Sequence, residues 1–231
     1  MPRQRNLTSR RLVRRALSAL LVAPLLAWTG FAITLTGLTL SPSQVGVGGA
    51  ANGTVTLDAA PSKGTISVQL SSHNPAIATV PSSVSFSSLT NQTSRSFTIN
   101  PLAMGCSEIK AVLSGATKRA LFKVEPPANQ PGAPSVSFSS NTTLSGASVT
   151  GTISVAGGQA GPFKVSLASN SPAATVPLSV SITTTFNEGV YAGSATFPIS
   201  TNASNPTCPV ISATLNGVTG RKLLTVLPVP G

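Results

Sequence analysis

The chain has 231 residues, 41% of them hydrophobic and only 8% charged, with a formal net charge of +11. Arg3, Arg5, Arg10, Arg11, Arg14 and Arg15 supply six of its fifteen cations, so the chain after residue 32 carries about +5, nine Lys and Arg against Asp58, Glu108, Glu125 and Glu188. Those nine are scattered, which excludes a nucleic-acid footprint in spite of the high isoelectric point. One His, one Asp and two Cys are also too few for a zinc or a clustered-carboxylate calcium site.

The arginine head runs into an apolar stretch from Ala16 to Phe31, with small residues at Gly30 and Ala32. Basic head, apolar middle and small exit positions read as a secretory signal peptide, residues 1–32, cut after Ala32. The alternative is an uncleaved anchor, since Ala16 to Leu40 is largely apolar and a span needs about 20 such residues. Pro24 and the threonines after Ile33 weigh against it. Arg10-Arg11 is only a weak twin-arginine signal, and no Cys stands near the end of the stretch to take a lipid.

Beyond Ile33 no apolar residues recur at helical spacing, and alternation with period two takes over. Ile66, Val68 and Leu70 point one way while Ser67, Gln69 and Ser71 point the other, the signature of a half-buried strand. Val84 and Phe86, Phe97 and Ile99, then Ile109, Ala111 and Leu113, then Ala120, Phe122 and Val124 repeat it. Pro126-Pro127-Ala128-Asn129-Gln130-Pro131-Gly132-Ala133-Pro134 follows, and four prolines in nine residues predict an extended, semi-rigid linker rather than a strand. The alternation then resumes with Val136 and Phe138, Ile153 and Val155, Val165 and Leu167, Val180 and Ile182, Phe197 and Ile199, Ile211 and Ala213, and Leu224 and Val226.

The second half restates the first. Val68-Gln69-Leu70-Ser71-Ser72-His73-Asn74-Pro75-Ala76-Ile77-Ala78-Thr79-Val80-Pro81 returns as Val165-Ser166-Leu167-Ala168-Ser169-Asn170-Ser171-Pro172-Ala173-Ala174-Thr175-Val176-Pro177. Gly53-Thr54-Val55-Thr56-Leu57 returns as Gly151-Thr152-Ile153-Ser154-Val155, and Cys106 and Cys208 hold matching places. A repeat of this length is a whole domain rather than a solenoid unit. About seven short strands per copy, parted by turns such as Ser114-Gly115 and Asn216-Gly217, predict an all-β chain of two tandem antiparallel β-sandwiches, 33–125 and 135–231, joined by 126–134. Asn216-Gly217 is a strong type I′ hairpin signal.

The repeated Gly-Thr-Val-Thr-Leu and Val-x-Leu-x-Ser-x-Asn-Pro-Ala-x-Ala-Thr-Val-Pro segments, followed by a Ser/Thr-rich strand ending Phe-Thr-Ile, resemble bacterial immunoglobulin-like repeats over residues 38–125 and 135–227. The resemblance implies the sandwich fold and an exported spacer, adhesive or accessory role.

An antibody-like bridge inside one sandwich is excluded by one Cys per copy. Cys106 and Cys208 read first as two half-buried thiols. A bond to another chain and an interdomain bridge are the alternatives, and the last requires the domains to fold back on each other, because a disulfide needs Cα atoms within about 7 Å.

No constellation carries catalysis. The four acids fall at separate strand ends and turns, none duplicated in the other copy, so paired-carboxylate hydrolysis has no support. His73, the only His, lies in a turn, and a dyad with Cys106 has no supporting motif. Gly46-Val47-Gly48-Gly49 precedes a strand, not a phosphate-binding helix. No catalytic, metal or cofactor residue is assigned. Asn187-Glu188-Gly189-Val190-Tyr191 is longer than its counterpart, and Glu188 and the only Tyr, Tyr191, form the candidate contact loop, with a plain packed hairpin as the other reading. Lys118-Arg119 and Arg221-Lys222 read as solvated turns. Asn52, Asn91, Asn141 and Asn202 each begin an Asn-x-Ser/Thr triplet, which matters only in a host that glycosylates Asn.

The expectation is a secreted or cell-surface module without catalytic role or cofactor, for adhesion or spacing. Its partner would be a surface protein or polysaccharide, and its membrane contact would come only through an uncleaved N-terminus. The alternatives are a carbohydrate-binding accessory protein and homo-association by strand addition. No C-terminal anchor or sorting signal is legible before Gly231.

Overall fold

Alternating sequences of Val, Ile, Phe and Thr pair into sheets because each strand can bury one face and hydrate the other. A computed structural model describes residues 32–158 and 160–230. The arginine head and the apolar stretch of the signal-peptide reading lie outside the described residues. The first half contributes β1 (Leu35–Ser41), β2 (Gln44–Gly46), β3 (Ala51–Leu57), β4 (Thr65–Ser72), β5 (Ala78–Thr79), β6 (Ser83–Ser87), β7 (Ser94–Pro101), β8 (Gly105–Leu113) and β9 (Ala116–Glu125). The second contributes β10 (Ser135–Phe138), β11 (Thr142–Leu144), β12 (Ser148–Gly158), β13 (Phe163–Ser169), β14 (Ala174–Thr175), β15 (Ser179–Ile182), β16 (Thr185–Asn187), β17 (Val190–Thr201), β18 (Val210–Leu215), β19 (Val218–Leu223) and β20 (Thr225–Leu227).

In the first half β1-β3-β7-β5 face β2-β9-β8-β4-β6, and in the second β10-β12-β17-β14 face β15-β13-β18-β19. The protein is all-β, and this division matches the A-B-E and C-F-G sheets of an immunoglobulin-like sandwich, with β6 and β15 in the place beside strand C. Two features depart from the purely antiparallel expectation. β2 runs parallel to β9, and β11 parallel to β20. The strands also outnumber the seven per copy read from the sequence, because pairings of two to four residues such as β5, β11, β14 and β16 are too short to show alternation.

Each half closes on its own core. Val55, Val68, Phe86, Ile109, Phe122 and Val124 are fully buried in the first, and Ile153, Ile182, Ile199, Ile211, Leu224 and Val226 in the second. One detail recurs. Gly53 pairs with Phe97 and Gly151 with Phe197 across neighbouring strands, and each ring lies where a Cβ on the glycine would stand. The missing side chain makes room for the aromatic, the cross-strand arrangement by which a ring covers a strand glycine.

The last hairpins turn as their sequences require. Ser114 and Gly115 have φ of 47° and 87°, Asn216 and Gly217 of 50° and 82°. Two consecutive positive values make both two-residue loops type I′. Lys118 and Arg119 lie on β9 and Arg221 and Lys222 on β19, so these pairs occupy strands, not the turns first read for them.

Candidate functional site

The chain does not run straight through 126–134. The carbonyl of Gln130 accepts the N–H of Ala133 at 3.0 Å, and Gly132 has φ +79°. Pro131 and Gly132 are thus the two central residues of a type II turn. Asn129 Oδ1 accepts the N–H of Arg221 at 2.9 Å, and the carbonyl of Pro134 stands where a Cβ on Gly220 would be. The linker therefore reverses and lies along β19 instead of extending.

That reversal overturns the reading of two free thiols. Cys106, at the start of β8, and Cys208, just before β18, form an intrachain disulfide with Cα atoms 5.2 Å apart. Both are buried, together with Val210 and Leu223 of the second half, and Met104 and Leu121 of the first pack against them. Leu121 and Leu223 hold equivalent places, as do the two cysteines. Contact between equivalent places is the mark of an isologous, locally two-fold arrangement. The end-to-end layout that set the cysteines far apart does not occur.

Beside the disulfide lies a cleft of about 430 Å³ lined by His73 and Asn74 from the first half and Pro172, Ala173, Asn202 and Asn205 from the second. The same turn of each copy thus contributes to the lining. Ser107 Oγ accepts the N–H of Asn74 at 2.8 Å and lies 2.7 Å from Ser72 Oγ, which donates to the carbonyl of Ala78 at 2.6 Å. In the second copy Asn170 Oδ1 takes the N–H of Val210 at 2.7 Å. Cys106 reaches this cleft, but its bonded sulfur has no thiolate to offer His73. Glu108 pairs with Arg119 at 2.6 Å on the neighbouring strand. Arg119 is largely exposed and Glu108 half-buried, and a surface pair of this kind stabilises by roughly 0–1 kcal/mol.

The candidate contact loop is a hairpin. Asn187 pairs with Val190, and Glu188 and Gly189, with φ of 48° and 84°, form a third type I′ turn. Tyr191 is half-buried, opposite Phe186, which is 64% exposed. The two rings meet at 5.0 Å between centroids, tilted by 53°. Phe186 is no candidate in the sequence, since the Thr-rich stretch around it shows no alternation that would place its ring. Only the short β16, which has no counterpart in the first copy, carries it beyond the core.

Asp58, just past β3, accepts the N–H of Thr34 at 2.8 Å and its hydroxyl at 2.8 Å. These bonds, the backbone one foremost, hold the Asp58 carboxyl below its ordinary range. They fasten the first residues of the fold to the first sandwich.

The outer face of β1, β3 and β7 is uncharged. Thr39, Thr54 and Ser96 form one row across it, with Thr54 Oγ1 and Ser96 Oγ 3.3 Å apart. In the second half Ser137, Thr152 and Thr196 form the equivalent row. Among the described residues no three His, Cys, Asp or Glu side chains gather to hold a metal ion, and no helix is long and apolar enough to cross a membrane.

No family model matches the chain, and no curated protein matches it. Solved structures do resemble it at low identity. Domains 5–6 of the S-layer protein SbsC are 16% identical, covering 86% of this chain and 100% of that one, with a TM-score of 0.30. The Escherichia coli adhesin FdeC is 18% identical, covering 85% of this chain and 66% of that one, with a TM-score of 0.34. The D0-D1 domain of intimin is 13% identical, covering 84% and 98%, with a TM-score of 0.32. These likenesses are distant, and the strand order and duplicated core make this an immunoglobulin-like β-sandwich protein in their own right.

Proposed function

We propose that this chain is a non-catalytic, exported module of two immunoglobulin-like domains, divided at 126–134, that acts through its surfaces in adhesion or spacing. The observation that carries the reading is the buried Cys106–Cys208 bond with its own apolar cluster. A buried structural disulfide belongs to an oxidising compartment. It also ties two sandwiches into one body, a design for holding surfaces at fixed positions. The basic head and apolar stretch supply the export signal, and cleavage after Ala32 leaves the Thr34–Asp58 anchorage whole.

Fractionating the native host and measuring the intact mass tests this. A mass beginning at Ile33 in the medium or loosely held at the surface is the expected result, and full-length protein in the membrane fraction moves the role to an N-terminally anchored surface protein. Full-length protein confined to the cytoplasm overturns the proposal.

A second reading rests on Phe186 and Tyr191, since exposed rings are platforms on which sugar faces stack. As a carbohydrate-binding accessory protein, the chain would bind polysaccharide in a pull-down and lose that binding in Phe186→Ala/Tyr191→Ala. Binding that survives the double substitution removes the site.

A further inference from the structure

Sheet edges carry unpaired backbone donors and acceptors, and proteins blunt them with charge, Pro or a covering segment. This molecule blunts one edge of each C-F-G sheet and leaves the opposite one open. The β9 edge carries Lys118 and Arg119 and is partly covered by β2. The β19 edge carries Arg221 and Lys222, and the linker lies along it through Asn129. At the far side β6 is Ser83-Val84-Ser85-Phe86-Ser87 and β15 is Ser179-Val180-Ser181-Ile182, both terminal in their sheets and without a charge or a proline. The end of β15 closes against β17, where the carbonyl of Thr183 stands over Gly193, which leaves Ser179–Ser181 as its open part.

A second observation points to the same edges. The two most exposed large hydrophobic residues described are Leu89, at 95%, and Leu178, at 89%. Leu89 lies two residues after β6 and Leu178 immediately before β15. When two strands pair antiparallel, the end of one lies beside the start of the other. Antiparallel pairing of β6 with β15 therefore brings Leu89 and Leu178 to the same end of the joined ladder. It also sets serine against serine on the outer face and Val and Phe against Val and Ile on the inner. Pairing β6 with β6, or β15 with β15, separates the leucines to opposite ends.

We infer that the β6 edge of one molecule adds to the β15 edge of a second copy of this chain. The inference rests on the homo-association reading of the chain and names its surface. Because the two edges differ, the contact is heterologous, and repetition gives rings or open filaments rather than closed dimers.

Sedimentation velocity on the full chain over a wide concentration range tests it, with Ser85→Lys/Ser181→Lys at the edges, Leu89→Ser/Leu178→Ser beside them, and Ser96→Lys/Thr196→Lys on the outer sheet faces as a charge-matched control. All six positions are exposed, and unchanged circular dichroism certifies each fold. The expected result is concentration-dependent association of the unaltered chain and of the control, and at least tenfold weaker association of both edge variants. Association that persists in the edge variants overturns this surface while homo-association stands. A monomer at every concentration overturns homo-association itself. Association abolished equally by the control shows a charge effect and overturns the edge assignment.

Discussion

A single missing methyl group decides how each core is packed. Gly53 and Gly151 sit directly under the rings of Phe97 and Phe197, so Gly53→Ala or Gly151→Ala forces ring or strand to move. Overpacking of this kind costs about 1–3 kcal/mol, and a lowered melting temperature in either variant is the expected outcome. Both glycines were visible in the repeat, but their reason was not, because cross-strand register is needed to set each opposite its Phe. Asp58 acts at the same scale through charge. Its folded pKa is depressed by the Thr34 bonds, so its contribution to stability is fully present above the unfolded carboxylate value of about 3.9 and is lost as pH falls through the lower folded value. Thermal melts from pH 7 to pH 2 are expected to show Asp58→Asn less stable than the unaltered chain at neutral pH, with the difference closing below pH 4 as the native carboxyl takes up its proton.

Elements follow from short sequences when the local chemistry is strong. The long alternating strands and the Asn216-Gly217 hairpin were legible for that reason. Ser114 fills the same φ > 0 position as Asn216 with a residue less suited to it, so Ser114→Asn is expected to raise stability by a few tenths to about 1 kcal/mol, read by chemical denaturation. The linker was misread through one weighting. Its four prolines suggested extension, whereas Gln130-Pro131-Gly132-Ala133 is a type II turn whose Pro and Gly occupy their favoured positions. The contact segment reads from sequence as either a long loop or a plain packed hairpin, and the structure has the hairpin, with Glu188 and Gly189 at positive φ in its turn. The exact turn was not legible, because Glu is an uncommon residue at positive φ and β16 is too short to announce itself.

The whole molecule depends on what that turn permits. Reversal at Pro131-Gly132 brings equivalent ends of the two copies together, and there Cys106 and Cys208 bond inside an apolar cluster. Sequence alone placed the cysteines correctly in each copy, but their pairing depends on the relative placement of two sandwiches, which no periodicity encodes. A bond between residues 102 apart constrains a long segment of the unfolded chain, and the chain-entropy model assigns such a loop roughly 4–5 kcal/mol. For a protein of this size Cys106→Ser/Cys208→Ser is therefore expected to lower the melting temperature by about 8–20 °C, and calorimetry is expected to resolve two transitions as the sandwiches uncouple.

The most direct test of the stapled two-sandwich body is a tryptic map of the protein kept unreduced and alkylated before digestion. Cleavage after Arg95, Lys110, Lys164 and Arg221 isolates residues 96–110 with Cys106 and residues 165–221 with Cys208. The expected result is one linked pair of these peptides, in protein whose intact mass is that of a monomer, separating on reduction. Recovery of both peptides alkylated and unlinked, or of 96–110 joined to another 96–110, would contradict the folded-back arrangement.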